Sequence, residues 1–352
     1  MNHASFYDED DMLGAASDRL FADTCAPGLA KAARRPAGAD GAAAAGRATA
    51  AWDAFVASGT ADALMPEDAG GAGLGLGDLA STFFAAGYHA VPFPVADTVL
   101  ARAWIHAAGV TPPTGAIALA PYGWRCGDNR VIGTRVPWLR AADHVLAVVD
   151  GKSVLLPVSQ AAVSDSSPHA AVAASATWAS DAATPMLGSD ICPLDTLAAC
   201  AYAGIATGAL IRVLHLTLAY ANDRRQFGKP IGRFQAIQQQ LAVMAEQVWA
   251  ARGAAGLVLN GPHAYPRPEA AALAWGRVCE AIVPVCDIAH AVHGAIGITA
   301  EHDLGLYTGS LREWRLAIGS ESAWYARVGT GVLASEHSAL DCVRQLCGET
   351  VG

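Results

Sequence analysis

At 352 residues the chain has room for roughly two or three domains with large cores. Hydrophobic residues make up 53% and charged residues 16%, which argues against disorder and for close packing. The formal net charge of -9 argues against a general nucleic-acid or anionic-membrane surface, so an anion site would have to be a local cluster.

Eight cysteines form no CxxC pair and no zinc spacing. The opening MNHASFYDEDD is acidic and has no apolar signal core, so the expected compartment is the cytoplasm. Residues 1–112 are alanine-rich and helical in pattern, for example from Asp40 to Phe55. The glycines in LMPEDAGGAGLGLGDL do not fit GxGxxG. They form a loop leading into a helix near Asp78, which serves as N-cap or first-turn acid. After the prolines of VPFPVADT a further helix is expected over 99–108.

The period changes over 113–190. Short apolar runs alternate with turns, among them Gly127–Asn129 and the hairpin signal Asp150-Gly151, which predicts a small middle β domain. Residues 159–190 read as a weak strand or two plus a linker. From 191 to 352 the chain is helical again, with helices expected at about 194–222, 233–258, 267–291 and 301–330 and short connections that favour an antiparallel bundle. The 16 uncharged residues between Asp195 and Arg212 are short for a membrane span and read as a buried helix.

The stretch from Ala219 to Glu246 joins the first two of these helices. Phe234, Ile237, Leu241, Met244 and Val248 step by three and four along one buried face. The polar turn before them holds arginines, an aromatic and Gly-Lys-Pro. Spacing alone leaves two readings, a solvated hairpin tip or a docking point for an anionic ligand.

The order of elements and four segments resemble the acyl-CoA dehydrogenase family. Tyr220 to Gln238 resembles its Y-A-x-x-R-x-x-F-G-x-P-I-x-x-F-Q-A-I-Q segment. HGAIGITAEHDLGLY resembles H-G-G-x-G-x-T-x-E-H-D-L, LMPEDAGGAGLG resembles L-P-E-x-x-G-G-x-G, and RVIGTRVPWLRAADHVLAVV resembles middle-domain strands. The resemblance implies a mainly α fold with a small middle β domain: N-terminal helical domain, β domain, C-terminal four-helix bundle. It also implies an FAD enzyme that oxidises an acyl-CoA thioester to the enoyl-CoA, with electron-transfer flavoprotein as oxidant, and a homo- or hetero-oligomer. In the family the arginine turn reaches the FAD of a neighbouring subunit. Arg224, Gln226 and Phe227 would therefore serve a neighbour's flavin, with Phe234, Gln235 and Gly294 beside it. Arg donors suit a pyrophosphate, and an aromatic wall suits an adenine.

The departures bear on catalysis. The family's ring-side loop and its Thr-Asn donors near Trp138 are missing. The usual base falls at Ala317 or Ile318, leaving Glu321 as a weak shifted candidate. The alternative base and substrate-arginine positions hold Ala198 and Ala199, and Ala295 replaces the second glycine of H-G-G. His293 and His302 read as loop histidines satisfied locally. Four functions follow as expectations: a complete dehydrogenase, a degenerate partner subunit that completes a paralogue's FAD site, a flavin monooxygenase on the same fold, and a non-enzymatic scaffold. The turn with its lost bases favours the partner subunit over the first.

Overall fold

The computed structural model describes residues 10–33, 39–164, 172–186 and 191–347. The acidic N-terminus, part of the 159–190 linker and its Leu-Gly-Ser-Asp segment lie outside the described residues.

Five helices come first: α1 (Met12–Thr24), α2 (Pro27–Ala33), α3 (Ala39–Ala57), α4 (Leu76–Tyr88) and α5 (Val95–Ala107). The first turn of α4 is closed by Asp78, whose carboxylate accepts the Gly75 N–H at 2.9 Å, the first-turn role its position predicts. α5 begins at Val95, four residues before the expected start, with Pro94 as N-cap and its carbonyl accepting the Thr98 N–H at 3.0 Å.

Strands β1 (Ile117–Ala120), β2 (Trp124–Gly127), β3 (Arg130–Val136), β4 (His144–Val149), β5 (Lys152–Pro157), β6 (Ala162–Ser164), β7 (Ala174–Ala179) and β8 (Thr184–Pro185) form two sheets. Their orders are β1-β4-β5-β8 and β2-β3-β7-β6. β1 and β4 are parallel and every other pair is antiparallel. Asp150 and Gly151 take φ of 48° and 74° and close the β4–β5 hairpin, and Asp128 and Asn129 do the same between β2 and β3. Val131, Val145, Leu156 and Trp178 fill the space between the sheets. The 159–190 region corrects one expectation. β7 is no weak strand: it lies between β3 and β6 and buries Ala174, Ala176 and Trp178.

The chain then runs through α6 (Leu194–Asp223), a small hairpin of β9 (Arg225–Gln226) and β10 (Lys229–Pro230), α7 (Gln235–Val258), α8 (Pro268–His293), α9 (Leu304–Trp314), α10 (Glu321–Ala334) and α11 (Ala339–Leu346). α6 is long and apolar enough to cross a bilayer, yet 94% of its apolar window is buried. It is a core helix, packed on α4, α7, α8 and α9. Glycines let α4 approach it: a methyl on Gly87 would lie 1.8 Å from the Ile205 carbonyl oxygen, and one on Gly208 would lie 1.9 Å from that of Phe84. The helix expected over 301–330 is two helices. Gly319, at φ 98°, breaks it, and Ser320 caps the second by accepting the Ala323 N–H at 3.3 Å.

Candidate functional site

α6 stops where Arg224 turns extended, its N–H still reaching the Tyr220 carbonyl at 2.9 Å. Gln226 and Arg225 then pair with Lys229 and Pro230, and the Ile231 N–H returns to the Arg224 carbonyl at 2.8 Å. Phe227 and Gly228 make the corner with φ of 49° and 81°. A phenylalanine in that region costs about 1 kcal/mol, and this one is also 91% exposed. The paired positive φ values are those a two-residue hairpin turn requires, and the corner leaves the ring open to solvent.

The ring of Phe227 meets Phe234 edge-on at 6.1 Å, and the Lys229 ammonium lies 4.3 Å from the Phe234 ring centre. Arg224, Gln226 and Gln235 are exposed. Among the described residues Arg224, Arg225, Lys229 and Arg233 make no ion pair. The turn therefore carries four exposed cations, of which Lys229 lies against the aromatic pair.

The turn rests on α8. Ala221, Ile231 and Val292 form one apolar cluster, with Phe234 and Ile237 against it. Beneath it the Tyr220 ring stacks on His293 at 4.5 Å, and His302 meets His293 at 4.7 Å. Both histidines have local partners, the Ala289 carbonyl for His293 and the Leu304 N–H for His302, and burial lowers both pKa values. Gly294 follows directly, at φ 63° and ψ -142°, a conformation open to glycine alone. The structure thus brings Arg224, Gln226, Phe227, Phe234, Gln235 and Gly294 to one corner of the bundle.

Glu321 is elsewhere. It lies in the first turn of α10, paired with Arg315 at 2.8 Å. Its neighbour Cys279 stands fourteen residues before His293 on α8, on the order of 20 Å along the axis. Ala198, Ala199 and Ile318 are fully buried apolar side chains. No carboxylate occupies a base position that the resemblance names.

A second locus was not apparent from the sequence. Asp97 on α5 is wholly buried where the N-terminal helices, the β domain and the bundle meet. One carboxyl oxygen accepts the Leu119 N–H at 3.1 Å and the other has no partner in the protein. Burial raises its pKa to about 7, against which the Leu119 hydrogen bond acts. Tyr202 on α6, Trp138 and Trp314 also carry buried polar atoms without hydrogen bonds of normal geometry. Trp138 holds φ at 55° and packs on Trp314 at 5.9 Å. These indoles leave three cavities of about 10 to 20 Å³, room for roughly one water each.

Comparison with known proteins places the chain. Residues 197–329 match the family model for the acyl-CoA dehydrogenase C-terminal domain. The acyl-CoA dehydrogenase IpdE2 of Mycolicibacterium smegmatis is 34% identical over 256 residues, 71% of this chain and 76% of the relative. The chain belongs to the acyl-CoA dehydrogenase family. Its fold is shared with the ChsE4-ChsE5 complex of Mycobacterium tuberculosis, at a TM-score of 0.75 and 22% identity over 95% of this chain and 100% of that one. It is shared too with a glutaryl-CoA dehydrogenase of Mycobacterium smegmatis solved with FADH2, at 0.68 and 17% over 94% and 96%. In this acyl-CoA dehydrogenase family member the cationic turn lies exposed on the bundle, and Ala198, Ala199 and Ile318 are buried.

Proposed function

We propose that this chain is a subunit of an FAD-dependent acyl-CoA dehydrogenase in which it completes the flavin site of a paralogous chain. One observation carries the reading: the Arg224–Gln235 turn is fully formed and faces outward, while the positions for a base hold buried alanine and isoleucine. The residues fit the phosphate and adenosine half of FAD. Arg224 offers a planar fork of donors to a phosphate, Gln226 and Gln235 offer amides, and Phe227 offers a bare ring to an adenine. They do not extend to the ring half: where the N-terminal helices, β domain and bundle meet, Trp138 and Trp314 pack at 5.9 Å and leave cavities of only about 10 to 20 Å³. Bound FAD supplies the hydride acceptor for α,β-dehydrogenation.

Each residue of this chain then has a passive task. The β9–β10 hairpin fixes Arg224 and Gln226, the Val292 cluster fixes the hairpin on α8, and Lys229 fixes Phe234. Proton abstraction falls to a carboxylate of the other chain. An electron-transfer flavoprotein would take the electrons, as the resemblance implies. The heteromeric ChsE4-ChsE5 complex supports the hetero-oligomer by analogy of fold.

The test is co-purification with a paralogous subunit. The pair should be yellow and reduce with an acyl-CoA, the chain alone should be colourless, and Arg224→Ala should lower the flavin content of the pair at least tenfold at limiting FAD. A chain that holds stoichiometric FAD alone and oxidises an acyl-CoA unaided overturns the proposal.

A further inference from the structure

Three histidines lie beneath the Arg224–Gln235 turn, and the partners of each fix where its proton sits. His293 Nδ1 is 2.8 Å from the Ala289 carbonyl oxygen, which only accepts, so Nδ1 carries the hydrogen and Nε2 is bare. His302 Nδ1 accepts the Leu304 N–H at 3.0 Å, which leaves its hydrogen on Nε2. His290 Nε2 is 2.9 Å from the Thr308 hydroxyl, whose own hydrogen goes to the Leu304 carbonyl at 3.2 Å. Nε2 of His290 therefore donates, and its Nδ1 is bare. The two bare nitrogens, His293 Nε2 and His290 Nδ1, are buried and have no partner in the protein.

A second proton has no good place to go. On His293 or His290 it would make a buried N–H without an acceptor, and on His302 it would displace the Leu304 hydrogen bond. The surroundings offer no carboxylate to spare. Tyr220 of α6 and the other two histidines face His293. His302 has Asp303 beside it, but that carboxylate is held 2.7 Å from the Lys31 ammonium of α2, which also donates to the Ala300 carbonyl at 3.0 Å. Arg312 and Asp287 flank His290 and pair with each other at 3.2 Å. All three imidazoles hold lowered pKa values, burial being the largest cause.

These rings carry the turn. Tyr220 sits in the last turn of α6, its ring stacked on His293 at 4.5 Å and its carbonyl accepting the Arg224 N–H at 2.9 Å. His302 closes on His293 from the side at 4.7 Å. Gly294 follows His293, and the loop it opens folds tightly over the same rings. A methyl on Gly297 would lie 2.9 Å from His293 Cβ and 3.4 Å from His290 Nδ1. Whatever moves the His293 ring moves the root of the turn and the glycine loop together.

We infer that Tyr220, His293 and His302 form an acid-released latch, which positions the Arg224–Gln235 turn and the Gly294–Ile298 loop while the imidazoles are neutral and frees both when they take a proton. The latch regulates the cofactor site proposed above. That consequence rests on the flavin reading; the release itself does not. An imidazole held low in the folded chain takes its proton nearer the ordinary 6.5 once released. The released form therefore binds more protons, and the latch holds above that pH and weakens as pH falls through it.

The experiment is hydrogen exchange by mass spectrometry on the full chain alone at about pH 7.5 and 5.5, corrected for the intrinsic rate, with residues 197–210 of α6 as the buried reference. Protection of 219–235 and 294–303 should fall about tenfold or more on acidification while the reference holds. His293→Phe keeps a ring against Tyr220 and cannot titrate, so its fall should shrink to about threefold or less. Should that variant fail to fold, His302→Asn keeps an acceptor for the Leu304 N–H and should flatten the same response. Protection that ignores pH, or a response equal in wild type and variant, overturns the latch. In the pair with a paralogous subunit, flavin content should fall over the same pH range in the wild type and hold in the variant. Segments that open in acid while the flavin stays bound keep the latch and overturn the flavin reading.

Discussion

The Glu321 carboxylate lies 2.8 Å from the Arg315 guanidinium, with both side chains about a third exposed. That pair joins the end of the α9 segment to the first turn of α10 and gives Glu321 a structural task. An ion pair this exposed contributes roughly 0–1 kcal/mol. Glu321→Gln should therefore leave the dehydrogenase rate of the assembly within about twofold, where loss of a general base costs about 10²-fold or more. Steady-state turnover decides it, and a hundredfold fall would make Glu321 the base.

The crossing of α4 and α6 should be the least tolerant place for a single methyl. Gly208→Ala puts carbon 1.9 Å from the Phe84 carbonyl oxygen and 2.9 Å from the Tyr88 nitrogen, both backbone. Overpacking of this sort costs about 1–3 kcal/mol or more. Gly253 on α7 has nothing within 4 Å of the same added carbon. Gly253→Ala should stabilise by about 0.5–1 kcal/mol through helix propensity. Thermal unfolding of the two variants should move in opposite directions.

Asp97 should make stability fall with rising pH. Unfolded, its carboxyl ionises near 3.8; folded, it keeps its proton to about 7. Between those values the native state binds more protons, so unfolding becomes easier as pH rises, and above about 7 this contribution is flat. Asp97→Asn keeps an acceptor for the Leu119 N–H and cannot ionise. The variant should gain on the order of a few kcal/mol at pH 7.5 and lose that slope between about pH 4 and 7, measured by denaturant melts across pH. An unchanged slope would mean that Asp97 titrates as an ordinary carboxylate.

Phe227→Ala separates folding from function. The ring is 91% exposed and its backbone is strained, so stability should change by no more than about 0.5 kcal/mol. Flavin content of the assembly should nevertheless fall severalfold. A drop in melting temperature with flavin retained would assign the ring to folding instead.

Much of the scaffold was legible because its signals are local. The stripe from Phe234 to Val248 marks α7, but only Met244 and Val248 are fully buried, while Phe234, Ile237 and Leu241 are half-buried. The break after α9 was harder, since Leu311, Trp314 and Ile318 continue a helical period through it, and all three are buried. The decisive marks were Gly319 and the capping Ser320. β7 was underestimated because alanine and serine alternate too faintly in ASATWA for a period of two to stand out. The turn was legible as a charged corner, and family resemblance gave it a ligand. The cleft was not. Asp97 occupies the third position of α5, where an acid ordinarily serves the helix terminus. Only the fold reveals that its side chain turns instead to Leu119, a partner 22 residues away.

The outward-facing turn has a further consequence. If half of a flavin site sits on each of two chains, holding the cofactor and holding the partner become one equilibrium, in which each ligand raises the apparent affinity for the other. Dilution would then bleach the enzyme before it unfolds it, and the cell could set activity by matching the synthesis of two chains.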